Sequence, residues 1–250
     1  VTQHVVNSGG KRIRPVICIL VAKMLIYKGL ELIKLASSIE LLHTATLIHD
    51  DVVDQSTTRR GQETANELWG NAPSVLVGDF LYSRAFEIMV EPNSMEIMKI
   101  LSKATNQISE GEVLQLLNIK NANVTQKEYY RVIERKTACL FKAACQIAGI
   151  LSNSNQKVIE AMGKFGMHLG NAFQIIDDLL DLEESEENLG KATNKDHSKN
   201  KKNLPLTLGR SETINEIKKF HSETMESFSK LSLNKHPLKI YVENLFNRRS

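Results

Sequence analysis

Two segments of this chain repeat one pattern: Leu47-Ile48-His49-Asp50-Asp51-Val52-Val53-Asp54 and Gln174-Ile175-Ile176-Asp177-Asp178-Leu179-Leu180-Asp181. Each sets carboxylates at i, i+1 and i+4 inside an otherwise apolar stretch. In a helix the i and i+4 side chains share a face, ~5–6 Å apart at Cβ, and like charges there repel. Aspartate is also a poor interior helix residue. One such segment reads as an acidic corner of a helix, but the same costly pattern twice asks for a compensating charge. Hard divalent cations supply it. Mg²⁺ binds through one or two carboxylates plus substrate phosphates rather than in an all-protein cage. Two such clusters facing each other point to a diphosphate clamped between metal ions.

The rest of the chain predicts helix nearly throughout. Five prolines and thirteen glycines are few for 250 residues, and period-two alternation over strand lengths is hard to find. Helical stretches are expected over 15–25, 32–53, 72–90, 95–117, 126–151, 156–182, 204–230 and 238–247. The least regular stretch is 183–203, where Glu183, Glu184, Glu186 and Glu187 give way to Lys191, Lys195, Lys199, Lys201 and Lys202. No Pro/Ser-rich linker divides the chain, so 1–250 reads as one helical domain with a lid-like loop at about 183–203.

A net charge of +3 does not argue for nucleic acid. Cys18, Cys139 and Cys145 show no C-x-x-C spacing and read as small buried hydrophobes of a reducing compartment. The longest purely apolar run, Val16 to Ala22, falls far short of the ~20 residues of a membrane span. The chain opens on Val1 rather than Met, which reads as a fragment or a processed form. Localisation is left open: cytoplasmic in a bacterium, organellar in a eukaryote.

The basic counterpart is Gly9-Gly10-Lys11-Arg12-Ile13-Arg14-Pro15, a glycine turn and cations at a helix start. It has no Walker A spacing. Backbone N–H groups there, together with Lys and Arg, form a ready anion site. Arg59-Arg60 adds a second cationic pair, read as sitting at the end of the helix that carries the first aspartate motif. There it would complement the helix dipole without any function.

These residues together resemble the trans-isoprenyl diphosphate synthases, most closely the long-chain, octaprenyl-type members. The resemblance runs from about Asn7 to Leu206. It rests on GGKRIRP at 9–15, ELLHTATLIHDDVVD at 40–54, RRG at 59–61, SVLVGDFLYSRAF at 74–86, EGEVLQL at 110–116, KTACLF at 136–141 and FQIIDDLLDL at 173–182. It implies an all-α fold, a bundle of antiparallel helices around a deep central cavity, normally a homodimer. The implied reaction joins isopentenyl diphosphate head-to-tail onto an allylic diphosphate such as farnesyl or geranylgeranyl diphosphate, with three Mg²⁺ ions that Mn²⁺ can replace. The implied product is a chain of roughly octaprenyl length for a quinone, which draws the enzyme to membranes.

Carried onto this sequence, Asp50, Asp54 and Asp177 correspond to metal ligands, supported by Asp51, Asp178 and Asp181. Lys11, Arg14, His43 and Arg60 correspond to the isopentenyl diphosphate site. Arg59, Lys136, Thr137, Gln174 and Lys191 correspond to contacts with the allylic diphosphate, Lys136 and Lys191 among the catalytic set. From the residues alone, His43 reads as a satisfied core histidine. The growing product is expected to pass Ala45 and Thr46, both small, then Leu41, Leu42 and Ser38. The Asn194-Lys195-Asp196 stretch departs from the family pattern, and the chain after Pro205 is shorter than expected, as though a helix pair were missing near Gly209.

Three rivals stand beside this reading. One is a His-Asp-type metal phosphohydrolase built on His43 and His49-Asp50, although Ile176 stands where its second histidine would be needed. Another is a non-catalytic regulatory subunit, which would typically have lost part of an aspartate motif. A terpene cyclase usually lacks the second motif in this form.

Overall fold

The computed structural model describes residues 1–118, 124–189, 204–230 and 236–247, except the side chains of 184–189 and 229–230. The elements in order are α1 (Thr2–Asn7), α2 (Ile13–Met24), α3 (Glu31–Val53), a hairpin of β1 (Thr58–Arg59) and β2 (Gln62–Glu63), α4 (Ala65–Trp69), α5 (Asn71–Val90) and α6 (Met95–Asn118). They continue with α7 (Gln126–Ile133), a π turn (Glu134–Ala138), α8 (Cys139–Leu151), α9 (Gln156–Leu189), α10 (Leu204–Leu208), α11 (Arg210–Lys230) and α12 (Pro237–Phe246).

Local chemistry explains several of these boundaries. Pro15 stands in the first turn of α2, where a missing N–H costs nothing. From there Ile17, Cys18, Val21 and Ala22 share one face and are fully buried. α7 opens with a reciprocal capping box between Thr125 and Glu128. α12 begins at Pro237, with the ring nitrogen Nδ1 of His236 accepting from the Leu238 N–H at 3.1 Å.

α3 packs on α5, α8 on α9, α9 on α11, and α2 between α3 and α8. One large apolar cluster joins α2, α3, α5, α6, α8, α9, α11 and α12. The three cysteines lie buried and unpaired. Among the described residues no helix is long and apolar enough to cross a membrane.

The structure departs from the sequence reading in four places. α9 continues to Leu189, because the glutamates after Leu182 are good helix formers and no breaker precedes Gly190. The helix expected over 126–151 contains the π turn. The helix expected over 204–230 is divided at Gly209, whose φ of 84° no L-residue adopts readily. Finally, Arg59 and Arg60 do not end α3, which stops at Val53; they sit in the hairpin. Arg60 and Gly61, with φ of 53° and 76°, form its two-residue turn, the geometry that matches strand twist. Lys191, Asp196 and the lid expected beyond Leu189 lie outside the described residues.

Candidate active site

α3 brings the first aspartate motif to its C-terminal end, and α9 carries the second. Asp50 and Asp54 on one, with Asp177, Asp178 and Asp181 on the other, line a single cavity of about 930 Å³. Lys11, Arg14, His43, Arg59, Arg60, Lys136, Thr137 and Gln174 line it too. The structure thus assembles most of the predicted site residues from segments far apart in sequence.

Lys136 is aimed by the π turn, a bulge of the kind often found at functional sites. Two glycines let neighbouring helices close on that turn. A Cβ on Gly111 of α6 would lie 2.7 Å from the Lys136 backbone nitrogen, and one on Gly170 of α9 would lie 2.6 Å from Ala138 Cα. Lys136 Nζ bridges Asp50 at 2.9 Å and Glu112 at 2.6 Å. Burial works to lower the Lys136 pKa, but Asp50 and Glu112 together raise it above the usual range. Glu112 is pushed up to about 7, by burial first and then by Asp50.

Elsewhere in the lining Arg14 and His43 meet, the guanidinium Nη1 3.0 Å from the imidazole Nε2. Burial holds Arg14 down to about 10. Burial, reinforced by Arg14 and Arg60, lowers His43 well below its usual range, so the ring is neutral and accepts from Arg14. Arg60 donates to the Gly9 carbonyl. A Cβ on Gly10 would lie 2.4 Å from the Arg60 guanidinium, so the glycine turn leaves room for it. Arg12 pairs with Glu40 at 2.5 Å.

Not every predicted residue reaches the cavity. Asp51 is buried away from it and holds Arg59, whose Nε donates at 2.8 and 2.9 Å and whose Nη2 lies 2.7 Å from Oδ1. Of the residues expected along the product path, Thr46 lines the cavity, whereas Ala45, Leu41 and Leu42 do not. Ala45 is fully buried with Ile48 against Leu81 of α5. Its small side chain serves helix packing. Ser38 likewise bonds the Ala85 carbonyl of α5 at 2.9 Å. His49 also stays out, with Nε2 3.2 Å from the Val75 carbonyl and 3.4 Å from Asp79. Among the described residues the histidine cluster that a His-Asp hydrolase needs is therefore not assembled, and Ile176 is buried.

Glu112 and Tyr129 are among the lining residues that had been given no role by sequence. Glu112 lies in the EGEVLQL segment, where its carboxylate was visible but unassigned. Tyr129 carried no signal at all: a tyrosine in an amphipathic helix reads as core. Its hydroxyl donates to Asp178 Oδ2 at 2.6 Å. Asp178 is pushed up to about 6, chiefly by burial.

The oxygen-only donor set suits a hard cation such as Mg²⁺ or Ca²⁺. Among the described residues no three ligating side chains converge on one point.

Residues 1–236 match the polyprenyl synthetase family. The chain belongs to that family. It is 49% identical over 203 residues to the octaprenyl diphosphate synthase of Escherichia coli (strain K12), which covers 81% of this chain and 63% of that one. The chain therefore spans under two thirds of that relative's length. The crystal structure of a decaprenyl diphosphate synthase from Rhodobacter capsulatus superposes with a TM-score of 0.85 at 35% identity, covering 99% of this chain and 87% of the other. A polyprenyl synthase from Caulobacter crescentus CB15, complexed with calcium and isoprenyl diphosphate, gives 0.82 at 35% identity over 100% of this chain and 88% of the other. The all-helical polyprenyl synthetase fold is thus shared with both solved structures.

Proposed function

We propose that this chain is a long-chain trans-polyprenyl diphosphate synthase, condensing isopentenyl diphosphate head-to-tail onto an allylic diphosphate to a product of roughly octaprenyl length. The observation that carries this reading is the pair of aspartate motifs on α3 and α9 lining one cavity together with Lys11, Arg14, Arg59, Arg60 and Lys136. In this reading Asp50, Asp54 and Asp177 hold Mg²⁺, with Asp181 close by. Bound Mg²⁺ supplies positive charge against the diphosphate leaving group.

The chain's own residues do the rest. Lys136, Thr137, Gln174 and Arg59 hold the allylic diphosphate, and Asp51 keeps the Arg59 guanidinium in place; Lys191 joins them from outside the described residues. Lys11, Arg14 and Arg60 hold isopentenyl diphosphate, with neutral His43 orienting Arg14. The allylic C–O bond breaks and its electron pair leaves on pyrophosphate. The isopentenyl double bond then attacks the allylic carbon, and the proton lost goes to a pyrophosphate oxygen. Leu47, Ile133 and Phe173 line the cavity and keep water from the allylic cation.

A homodimer is part of the proposal. On α5, Leu76 and Phe80 are 68% and 57% exposed, and on α6, Val113 and Leu117 are 57% and 69% exposed. Each pair is one helical turn apart, on helices that touch, and a second copy would cover them. The test of the activity is incubation with isopentenyl diphosphate, farnesyl diphosphate and Mg²⁺, with product length read by chromatography. Polyprenyl products of roughly octaprenyl length are expected. Release of phosphate without chain growth, or no reaction, would refute the reading.

A further inference from the structure

The second aspartate of each motif shares one arrangement: both of its carboxylate oxygens already accept from protein donors. Asp51 is taken up by Arg59. Asp178 receives the Tyr129 hydroxyl on Oδ2 at 2.6 Å and the Gln174 amide on Oδ1 at 2.9 Å. Gln174 Oε1 in turn accepts from the Thr137 hydroxyl at 2.9 Å. The chain of bonds therefore runs from the π turn, next to Lys136, across α9 to α7.

Tyr129 is built to hold its end of that chain. The residue is 5% exposed and packs with Ile133, Ile175, Leu204 and Phe220 in a small core of its own. Tyr130 meets it edge-on, with ring centroids 5.8 Å apart. A phenol fixed this way meets the carboxylate with little rotamer entropy left to lose, and bonds to charged acceptors are the strong ones. A cation approaching Asp178 would have to compete with two such donors.

We propose that Tyr129 is a positioning residue of the second aspartate motif: with Gln174 and Thr137 it holds Asp178 as a strut rather than a metal ligand, and so sets the α9 wall against the π turn that carries Lys136. The assignment rests on the reading of the cavity as a metal–diphosphate site. It gives the second aspartate of each motif the same task of fixing protein, Asp51 from outside the cavity lining and Asp178 from within it.

The test is Mn²⁺ binding to the full chain with inorganic pyrophosphate present, followed by electron paramagnetic resonance. Tyr129→Phe is expected to bind as many ions as the wild type but about tenfold more weakly, the effect of roughly one charge-assisted hydrogen bond. Asp178→Asn, whose amide oxygen still accepts from Tyr129 while the Gln174 amide loses its acceptor, should keep the full number at weaker affinity, whereas Asp177→Asn should lose an ion. Tyr130→Phe is the control for packing: its hydroxyl makes an equally short bond, 2.6 Å to Glu216, away from the motif. It should leave Mn²⁺ binding unchanged. Unchanged binding in Tyr129→Phe, equal weakening in Tyr130→Phe, or an ion lost in Asp178→Asn would each overturn the assignment. If the wild type binds Mn²⁺ and pyrophosphate as described yet elongates nothing, the proposed function falls and this assignment stands; a wild type that takes up no Mn²⁺ overturns both.

Discussion

Placing a phenylalanine at either of two adjacent positions on α3 separates the product path from the packing around it. Thr46 lines the cavity and lies four residues before Asp50, ~6 Å along the helix axis. Its hydroxyl is spent on the His43 carbonyl within the same helix, at 2.8 Å, so replacing it breaks no tertiary bond. A Thr46→Phe ring would stand about one turn below the aspartates and close the path there. Product length should fall towards about fifteen or twenty carbons while the first condensation survives. Ala45→Phe should do something else. Its side chain is fully buried among Ile48, Leu81, Leu41, Val77 and Tyr82, and overpacking such a site costs ~1–3 kcal/mol. At ~2–4 °C per kcal/mol for a chain of this size, the melting temperature should drop by about 2–12 °C, with product length retained. The assays are chromatography of the products and thermal unfolding of both variants. Shortened products from Ala45→Phe, with wild-type lengths from Thr46→Phe, would refute the reasoning and place the tail between α3 and α5.

Three further outcomes follow from the same structure. Asp50→Ala or Asp177→Ala should lower turnover by orders of magnitude with the fold intact, Asp50→Ala also taking one of the two carboxylate partners from Lys136; full activity of the wild type in EDTA would contradict the metal reading. His43 is held neutral by burial and by Arg14, so the unfolded chain binds its proton more readily. The stability it contributes is complete above about pH 6.5 and is lost as pH falls below that; thermal unfolding of wild type from about pH 7 to about pH 5 should therefore fall more than that of His43→Gln. Phe80→Glu with Leu117→Glu should convert a dimer into a monomer by sedimentation, and an unchanged mass would exclude this face as the contact.

The helices and the two acidic motifs were legible because their causes are local. Apolar spacing at helical period, scarce breakers and carboxylates that repel along one face are written in neighbouring residues. The likeness of Glu183–Glu187 to a loop misled because charge suggested irregularity, whereas helix propensity favours glutamate until a glycine intervenes. Lys136, Thr137 and Gln174 were found through their motifs, but nothing near them in sequence announced the π turn that aims the lysine. That turn depends on the close approach of Gly111 and Gly170 from two other helices.

What only the tertiary structure decided concerns rotation and distance. Successive residues on a helix differ by about 100°, so whether Ala45 or Thr46 faces the cavity depends on how α3 is turned against α5, which no pattern within α3 records. Asp51 and Asp50 are likewise adjacent and chemically identical, yet one is sealed beside Arg59 and the other meets Lys136. Tyr129 and Asp178 are 49 positions apart. The sequence on its own determined that this chain would be helical and would need a place for two sets of carboxylates. The packing of the helices chose which carboxylates face that place, because a side chain's direction is settled by its neighbours across the bundle rather than by its neighbours along the chain.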